Sequence, residues 1–123
     1  MSAIDVITRF FDAWGIADET ERTAVLAAVL SETSAYADPR APDGLSGRDK
    51  ISEYIGHFSA NAPGWTAQVV KSDETNGVIR VTVAFGGQGP DGTDMVQHGQ
   101  YFCRVKADQI AEMTGFVGTG APE

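Results

Sequence analysis

The residues best suited to acid–base chemistry in this sequence are one aspartate and one histidine. Asp38 precedes Pro39 in the run Tyr-Ala-Asp-Pro, and His98 lies in an alternating segment of the C-terminal half. A histidine gains or loses its proton near neutral pH, so it suits general acid or base catalysis. Because alternate residues of a strand share a face, His98, Gln100 and Phe102 are predicted to point the same way. We expect that face to line a pocket.

Each of these polar residues also has a structural interpretation. An aspartate before a proline often caps the backbone N–H groups of a turn, so Asp38 fits a turn as well as a pocket. His98 fits a hydrogen-bonded side chain at the mouth of a cavity, without a catalytic task, and many perturbed polar groups are of this structural kind. We interpret His57, at the border of a predicted apolar helix face, as a surface or interface residue.

Other chemistries lack their sequence patterns. The two histidines and the single Cys103 form no zinc pattern. Asp38, Asp43 and Asp49 are spaced too irregularly for a calcium loop. The glycine-rich run at 86–89 lacks the Gly-Lys-Ser/Thr ending of a phosphate loop. We therefore predict neither a metal nor a cofactor, and we interpret Cys103 as a small core or interface residue.

Large apolar side chains are candidates for the walls of the predicted pocket. Each of them, taken alone, is more often ordinary core packing than a ligand contact. Together with inward-facing His98 and Gln100 they predict a cavity, because ligand pockets are mostly apolar with a few placed polar groups. The candidates are Trp14, Tyr54, Phe58, Phe102 and Met113.

Apolar periodicity predicts three helices in the first half of the chain. Residues 4–15 repeat apolar side chains at three- and four-residue steps. Asp18 and Glu21 form a variant capping box that opens a second helix, and Ser46 is placed to cap a third. Between the second and third helices, residues 34–46 predict a short extended piece that ends in a loop, because the residue before a proline avoids helix.

The second half predicts a meander of four antiparallel strands. They span 66–74, 78–85, 95–105 and 109–117, with a tight hairpin at Asn76-Gly77 and a glycine-rich loop at 86–94. The predicted fold class is therefore α+β, with three N-terminal helices packed on an antiparallel sheet. We expect one domain over residues 1–117 and a flexible tail over 118–123.

Both faces of the predicted sheet are partly apolar. The face opposite His98 carries Met95, Tyr101, Cys103 and Val105. A sheet with one solvated face alternates more cleanly between apolar and polar residues. We expect this second face to be the outer face of the sheet and to pack against another copy of the chain, giving a homodimer.

Charge and composition narrow the partners and the location. The 123 residues carry 9 Lys and Arg against 17 Asp and Glu, a formal net charge of −8. Such a chain repels nucleic-acid phosphates and anionic membrane surfaces. No apolar run approaches the roughly 20 residues of a membrane span, and the N-terminus does not resemble a signal peptide. With one cysteine, these features favour the cytoplasm.

The order and spacing of the predicted elements resemble the NTF2-like superfamily, and within it the SnoaL-like and ketosteroid-isomerase-like branch. The resemblance covers almost the whole chain. It depends on two N-terminal helices, Tyr36-Ala37-Asp38-Pro39, a loop, Ser46-Gly47, a third helix and an antiparallel sheet. It implies a sheet curled into a conical pocket that is open at one end, with Asp38 at the position of the general base.

The resemblance also implies oxyanion donors that this sequence lacks. Arg9-Phe10-Phe11 stands where the first helix would offer a tyrosine, and Gln100 stands where a protonated acid is expected. Loss of one oxyanion donor typically costs about 10²–10³ in rate, so we expect no efficient isomerisation of steroids.

The predicted function is that of a SnoaL-like pocket protein for a small apolar carbonyl or hydroxyl compound. As an enzyme it would be an acid–base isomerase, cyclase or hydrolase. Asp38 would be its base, His98 a helper and Gln100 a polar anchor. The alternative is a non-catalytic ligand-binding or association module of the same fold, because fold does not fix function.

Overall fold

Three helices occupy much of the first half of the chain. In the computed structural model, which describes residues 2–117, they are α1 (Ala3–Asp12), α2 (Glu19–Val29) and α3 (Arg48–Asn61). A 3₁₀ turn at Ala13–Gly15 follows α1. The tail predicted at 118–123 lies outside the described residues. No helix within residues 2–117 has the length and apolar character needed to cross a membrane.

Of the N-caps predicted for α2 and α3, one is confirmed and one is wrong. Asp18 caps α2 as predicted, because its side chain accepts a hydrogen bond from the backbone N–H of Glu21 at 2.8 Å. The prediction for Ser46 is wrong. The N-cap of α3 is Gly47, which has a φ of 98° and makes no side-chain cap. Glycine is favoured there because positive φ strains other residues.

Within residues 2–117, six strands form one mixed sheet. They are β1 (Leu30–Asp38), β2 (Ala41–Ser46), β3 (Thr66–Thr75), β4 (Val78–Gln88), β5 (Asp94–Lys106) and β6 (Gln109–Val117). The order across the sheet is β2-β1-β6-β5-β4-β3, with β1 and β6 parallel and the other neighbours antiparallel. The α+β class and the meander from β3 to β6 agree with the prediction. The prediction of a wholly antiparallel sheet is wrong, because β1, which the meander did not include, pairs in parallel with β6.

Two strand predictions need correction. The sequence at Ala41–Ser46 was expected to be a loop, yet it forms the edge strand β2. Pro42 lacks a backbone N–H, and a strand at a sheet edge tolerates that loss. The predicted loop at 86–94 is also too long, since β4 continues through Gln88. Glycine in a strand marks close approach, and the Trp65 ring lies against Gly87.

The hairpin turns agree with the sequence. Asn76 and Gly77 have φ values of 51° and 78°, as a two-residue turn with positive φ at both positions requires. Ala107 and Asp108 turn the chain in the same way, with φ values of 52° and 62°.

The sheet presents to the helices the face opposite to the one predicted. The Tyr101 ring lies 4.9 Å from that of Phe11 on α1, and Cys103 is fully buried. His98, Gln100 and Phe102 are therefore on the outer face. The alternation was correct, but a choice of face inverts every side chain. The sequence pattern does not determine which face meets the helices, because both faces carry apolar residues.

Tyr101 requires space that two glycines provide. A Cβ atom at Gly115 would overlap the Tyr101 ring, and one at Gly99 would lie 3.2 Å from it. The two glycines occupy the neighbouring strands β6 and β5. Their lack of side chains lets the Tyr101 ring lie along the inner surface of the sheet.

Candidate functional site

A cavity of about 820 Å³ lies between α3, the 3₁₀ turn and the inner face of the sheet, and Asp38 contributes to its wall. Asp38 is the last residue of β1 and is 8% exposed. A charge buried to this extent is costly unless hydrogen bonds replace its water. The site therefore depends on what surrounds this carboxylate.

Four donors converge on the Asp38 carboxylate. Oδ2 accepts hydrogen bonds from the hydroxyls of Tyr36 and Tyr54, each at 2.6 Å. Oδ1 accepts the backbone N–H groups of Arg40 at 2.9 Å and Ala41 at 3.0 Å. An ionised carboxylate has about four acceptor positions and no donor, so this set matches its charged form. Oδ1 caps the turn, in agreement with the first interpretation of Asp38. Asp38 also contributes to the cavity wall, in agreement with the second.

Three elements bring these groups together. Tyr36 and Asp38 are two residues apart on β1, so their side chains share a face. The turn after Pro39 directs the next two N–H groups back at Oδ1, as short aspartate turns do. Tyr54 projects from α3, 16 residues away in sequence. The carboxylate thus links a strand, a turn and a helix.

All three tyrosines of the chain belong to this cluster. Burial raises the pKa of Tyr36 well above its ordinary value of 10.0, and the neighbouring charge of Asp38 adds to the shift. Burial and the hydrogen bond to Asp38 raise the pKa of Tyr54. Burial also raises the pKa of Tyr101, against the opposing effect of its hydrogen bond with Tyr36. These hydroxyls therefore stay protonated and remain donors at neutral pH.

Aromatic rings form much of the remaining wall. The Trp14 ring lies 5.1 Å from that of Phe58 and 5.6 Å from that of Phe85. Trp65 contacts the cavity from the segment before β3. These rings give the cavity an apolar interior with the Asp38 carboxylate at its edge, a composition typical of small-molecule sites.

The structure brings together some of the predicted site residues. Trp14, Asp38, Tyr54 and Phe58 all contribute to the cavity wall. Met113 does not, because it is 2% exposed in the core, beside Cys103 on the neighbouring strand. The prediction that Met113 contacts a ligand has no support in this geometry.

The predicted pocket placement of His98, Gln100 and Phe102 is wrong. Gln100 pairs with Thr82 through a side-chain hydrogen bond of 3.1 Å, and Phe102 packs against Phe116 at 5.9 Å. None of the three predicted residues contributes to the cavity wall. Their neighbours on the same strand, Gln97, Gly99 and Tyr101, take that place.

Sequence reasoning missed Tyr36, Tyr101 and Arg40. The signal for Tyr36 was present, since a residue two positions before Asp38 in an extended segment shares its face. Tyr101 was predicted to lie on the outer face together with Met95, Cys103 and Val105. Among residues 2–117, no three His, Cys, Asp or Glu side chains come together as a metal site.

The model of the SnoaL-like domain family matches residues 7–113 of this chain. The match includes all four donors to Asp38 and the cavity wall apart from Phe116 and Val117. No curated protein matches the chain.

Solved structures share the fold at low sequence identity. A protein of Agrobacterium tumefaciens, provisionally assigned as an isomerase of the SnoaL-like family, has a TM-score of 0.79 at 19% identity, covering 94% of this chain and 97% of its own. A Jannaschia protein, provisionally assigned as a SnoaL-like polyketide cyclase, has a TM-score of 0.76 at 15% identity, with coverages of 93% and 83%. An NTF2-like protein of Exiguobacterium has a TM-score of 0.74 at 16% identity, with coverages of 97% and 100%. These likenesses establish an NTF2-like fold.

The raised tyrosine pKa values predict the behaviour of the protein in alkali. At pH 10, where a free tyrosine is about half ionised, the folded protein should show almost no tyrosinate absorbance at about 295 nm. The unfolded chain then releases protons that the folded chain retains. The free energy of unfolding should therefore be unaffected by the tyrosines below pH 10 and fall as the pH rises further. A tyrosine of the folded protein that titrates at its ordinary pKa would contradict the assigned geometry.

Proposed function

This chain belongs to the SnoaL-like domain family, and from that premise we propose that it transfers a proton on a small, largely apolar carbonyl compound, with Asp38 as the base. The observation that carries the proposal is the position of the Asp38 carboxylate, 8% exposed on the wall of an aromatic cavity. A positioned carboxylate that accepts a proton from carbon is the group such a reaction needs. To take that proton, Oδ2 of Asp38 must give up the hydrogen bond from one of the two tyrosine hydroxyls.

The cavity favours an uncharged ligand with a ring or chain of moderate size. A volume of about 820 Å³ lies within the usual range of small-molecule pockets. Trp14, Phe58 and Phe85 offer apolar contact. The chain's net charge of −8 and the Asp38 carboxylate disfavour an anionic ligand.

The relatives support a reaction class but not a substrate. Two of the structural neighbours are provisionally assigned as an isomerase and a polyketide cyclase. For this chain, Phe10 and Phe11 are fully buried and Gln100 lies outside the cavity wall. The donors that would serve a steroid isomerase are therefore missing at the expected positions, and we propose a substrate other than a steroid enone.

A non-catalytic binding module is the second candidate. It is favoured by the turn-capping bonds of Oδ1 to Arg40 and Ala41, which give Asp38 a structural task without any reaction. In that case the cavity would bind its ligand and release it unchanged. The two candidates differ in one measurable property, the exchange of substrate protons.

Replacement of the base tests the proposal. We expect the protein to accelerate exchange of the methyl protons of 2-acetylnaphthalene, or of another ketone in a broad panel, with deuterium from solvent. Asp38→Asn should slow this exchange by roughly 100-fold or more, the usual contribution of a general base. The exchange is measured by proton NMR in D₂O. Asp43→Asn, an exposed carboxylate on β2, is the matched control and should retain the wild-type rate.

Equal exchange rates for the wild type and Asp38→Asn, with both proteins folded, would support the binding module instead. Circular dichroism and thermal unfolding establish the folded state of each variant. His98→Gln should also retain the wild-type rate, because His98 does not contribute to the cavity wall.

The outer face of the sheet supports a second proposal, a homodimer. Val96 and Phe102 are exposed there to 61% and 39%. The Phe102 ring contacts that of Phe116, which is 55% exposed and also borders the cavity. Exposed apolar clusters are typical of interfaces. The residues predicted for the outer face are not the ones found there. Tyr101 and Cys103 are buried inside the chain, and Met95 contacts the cavity.

A single charge on that face should separate the proposed dimer. We expect light scattering to give twice the mass of the chain for the wild type. Phe102→Glu should move the mass toward the monomer, because a carboxylate would be buried without a partner at the interface. Ala60→Glu, which adds the same charge to an exposed position of α3, should leave the dimer intact. A wild-type protein that stays monomeric at high concentration would contradict the proposal.

A further inference from the structure

The two tyrosine hydroxyls on Oδ2 of Asp38 differ in their surroundings. Tyr36 is 2% exposed and does not contribute to the cavity wall. Tyr54 is half-buried and forms part of that wall together with Asp38. One carboxylate oxygen therefore has a donor from the core of the protein and a second donor from the side of the cavity.

The donor on the core side is held in place. Tyr36 lies on β1 two residues before Asp38, and its ring packs 6.2 Å from that of Phe10. Its hydroxyl also forms a hydrogen bond with that of Tyr101. If the Tyr36 hydroxyl turned away, Oδ2 would lose a donor on a side that neither water nor a ligand reaches, which is costly.

The donor on the cavity side is able to move. Tyr54 belongs to α3 rather than to the strand that carries Asp38, and its hydroxyl donates to Oδ2 at 2.6 Å. A hydroxyl hydrogen turns about its C–O bond, so it leaves Oδ2 without any shift of the ring. Of the two donors on Oδ2, Tyr54 is therefore the one that a ligand can replace.

The other oxygen of the carboxylate offers no such position. Oδ1 accepts the backbone N–H groups of Arg40 at 2.9 Å and Ala41 at 3.0 Å. A backbone N–H has no rotating bond, because the peptide group is planar. A ligand that bonds to Asp38 must therefore use Oδ2, and on that side it meets the Tyr54 hydroxyl.

We propose that a hydroxyl group of the ligand displaces the Tyr54 hydroxyl from Oδ2 of Asp38 when the ligand binds. An ionised carboxylate only accepts hydrogen bonds, so the group that takes this position must carry a hydrogen. An O–H group bonds to a carboxylate far better than a C–H group does. The inference rests on the proposed function only in taking the cavity as the ligand site, and it names small apolar alcohols and phenols as ligands.

The charges of the site favour a neutral hydroxyl over an ion. Asp38 and the chain's net charge of −8 repel an anionic ligand. Burial raises the pKa of Tyr54 and the positive charge of Arg40 acts in the opposite direction, so the guanidinium lies near the Tyr54 hydroxyl. An ammonium group in the position of that hydroxyl would meet this positive charge, whereas a neutral O–H would not.

The proposed proton transfer uses the same position on Asp38. In that reaction the C–H bond of the substrate breaks, its electron pair stays on the substrate, and its proton forms a new O–H bond on Oδ2. The proton enters the place that the Tyr54 hydroxyl leaves, while Tyr36 keeps its hydrogen bond. A hydroxyl compound bound there would therefore compete with a ketone for the base.

A matched pair of ligands tests the displacement. 2-Naphthol and 2-methylnaphthalene have nearly the same shape, and only the first carries an O–H group. Tyr54→Phe removes the competing hydroxyl. The preference for 2-naphthol, expressed as the ratio of the two dissociation constants, should then rise by roughly tenfold, the effect of one hydrogen bond to a charged group. Equilibrium dialysis gives both constants.

Tyr36→Phe is the matched control. It removes the same atom from the same carboxylate oxygen, but on the side away from the cavity. Its ratio should stay at the wild-type value. Adding Asp38→Asn to Tyr54→Phe should remove most of the rise, because the charged acceptor is lost. Circular dichroism establishes that each variant is folded.

The wild type allows a second measurement that needs no variant. With ¹³C at Cζ of its tyrosines, the NMR signal of Tyr54 should shift more on addition of 2-naphthol than on addition of 2-methylnaphthalene. The signal of Tyr36 should respond equally to the two ligands, because its hydroxyl keeps its place on Asp38.

The outcomes separate this inference from the proposed function. The displacement would be overturned by an unchanged or lower ratio in Tyr54→Phe, by an equal rise in Tyr36→Phe, by equal shifts of the Tyr54 signal with the two ligands, or by no binding of either ligand. A rise confined to Tyr54→Phe would support it even if Asp38→Asn exchanged ketone protons at the wild-type rate. In that case the contact of the ligand with Asp38 would stand and the base would not.

Discussion

The site depends on the hydrogen bonds that satisfy the buried carboxylate of Asp38. A carboxylate that loses its water is tolerated only when hydrogen bonds replace that water. Here the replacements come from Tyr36 on β1, from two N–H groups of the turn into β2, and from Tyr54 on α3. One side chain therefore fixes the hairpin between β1 and β2 against the long helix and sets the edge of the cavity.

The same bonds limit the chemistry available in the cavity. Tyr36 and Tyr54 direct their hydroxyls at Asp38, and burial together with its charge raises the pKa of both tyrosines. They serve the carboxylate rather than a ligand. A donor for a ligand oxygen must then come from another group of the cavity wall.

The sequence predicted those features that depend on short-range chemistry. The cap at Asp18, the turn at Asn76-Gly77 and the four strands from β3 to β6 follow local rules and are present in the structure. The strand β2 was missed because the loop-forming character of Pro42 and its neighbours is harmless at a sheet edge. Asp38 was found through the resemblance of the whole layout, not through any local pattern that distinguishes a base from a turn residue.

The choice of sheet face could not be predicted in the same way. In β5 the alternation of Gln97, Gly99 and Tyr101 with His98 and Gln100 was correct, but apolar residues occur on both sides. What decides the face is long-range: Phe11 of α1 packs on Tyr101, and Gly115 of the next strand provides room for its ring. His98 was predicted to line the pocket because its side chain suits acid–base chemistry. Tyr101, on the opposite face of β5, lines the cavity instead.

A crystal structure of the protein with 2-acetylnaphthalene would test the central claim most directly. The account predicts that the methyl carbon lies about 3–3.5 Å from an Asp38 carboxylate oxygen, the distance suited to proton transfer. A ketone bound in the cavity with its methyl group out of reach of Asp38 would contradict it.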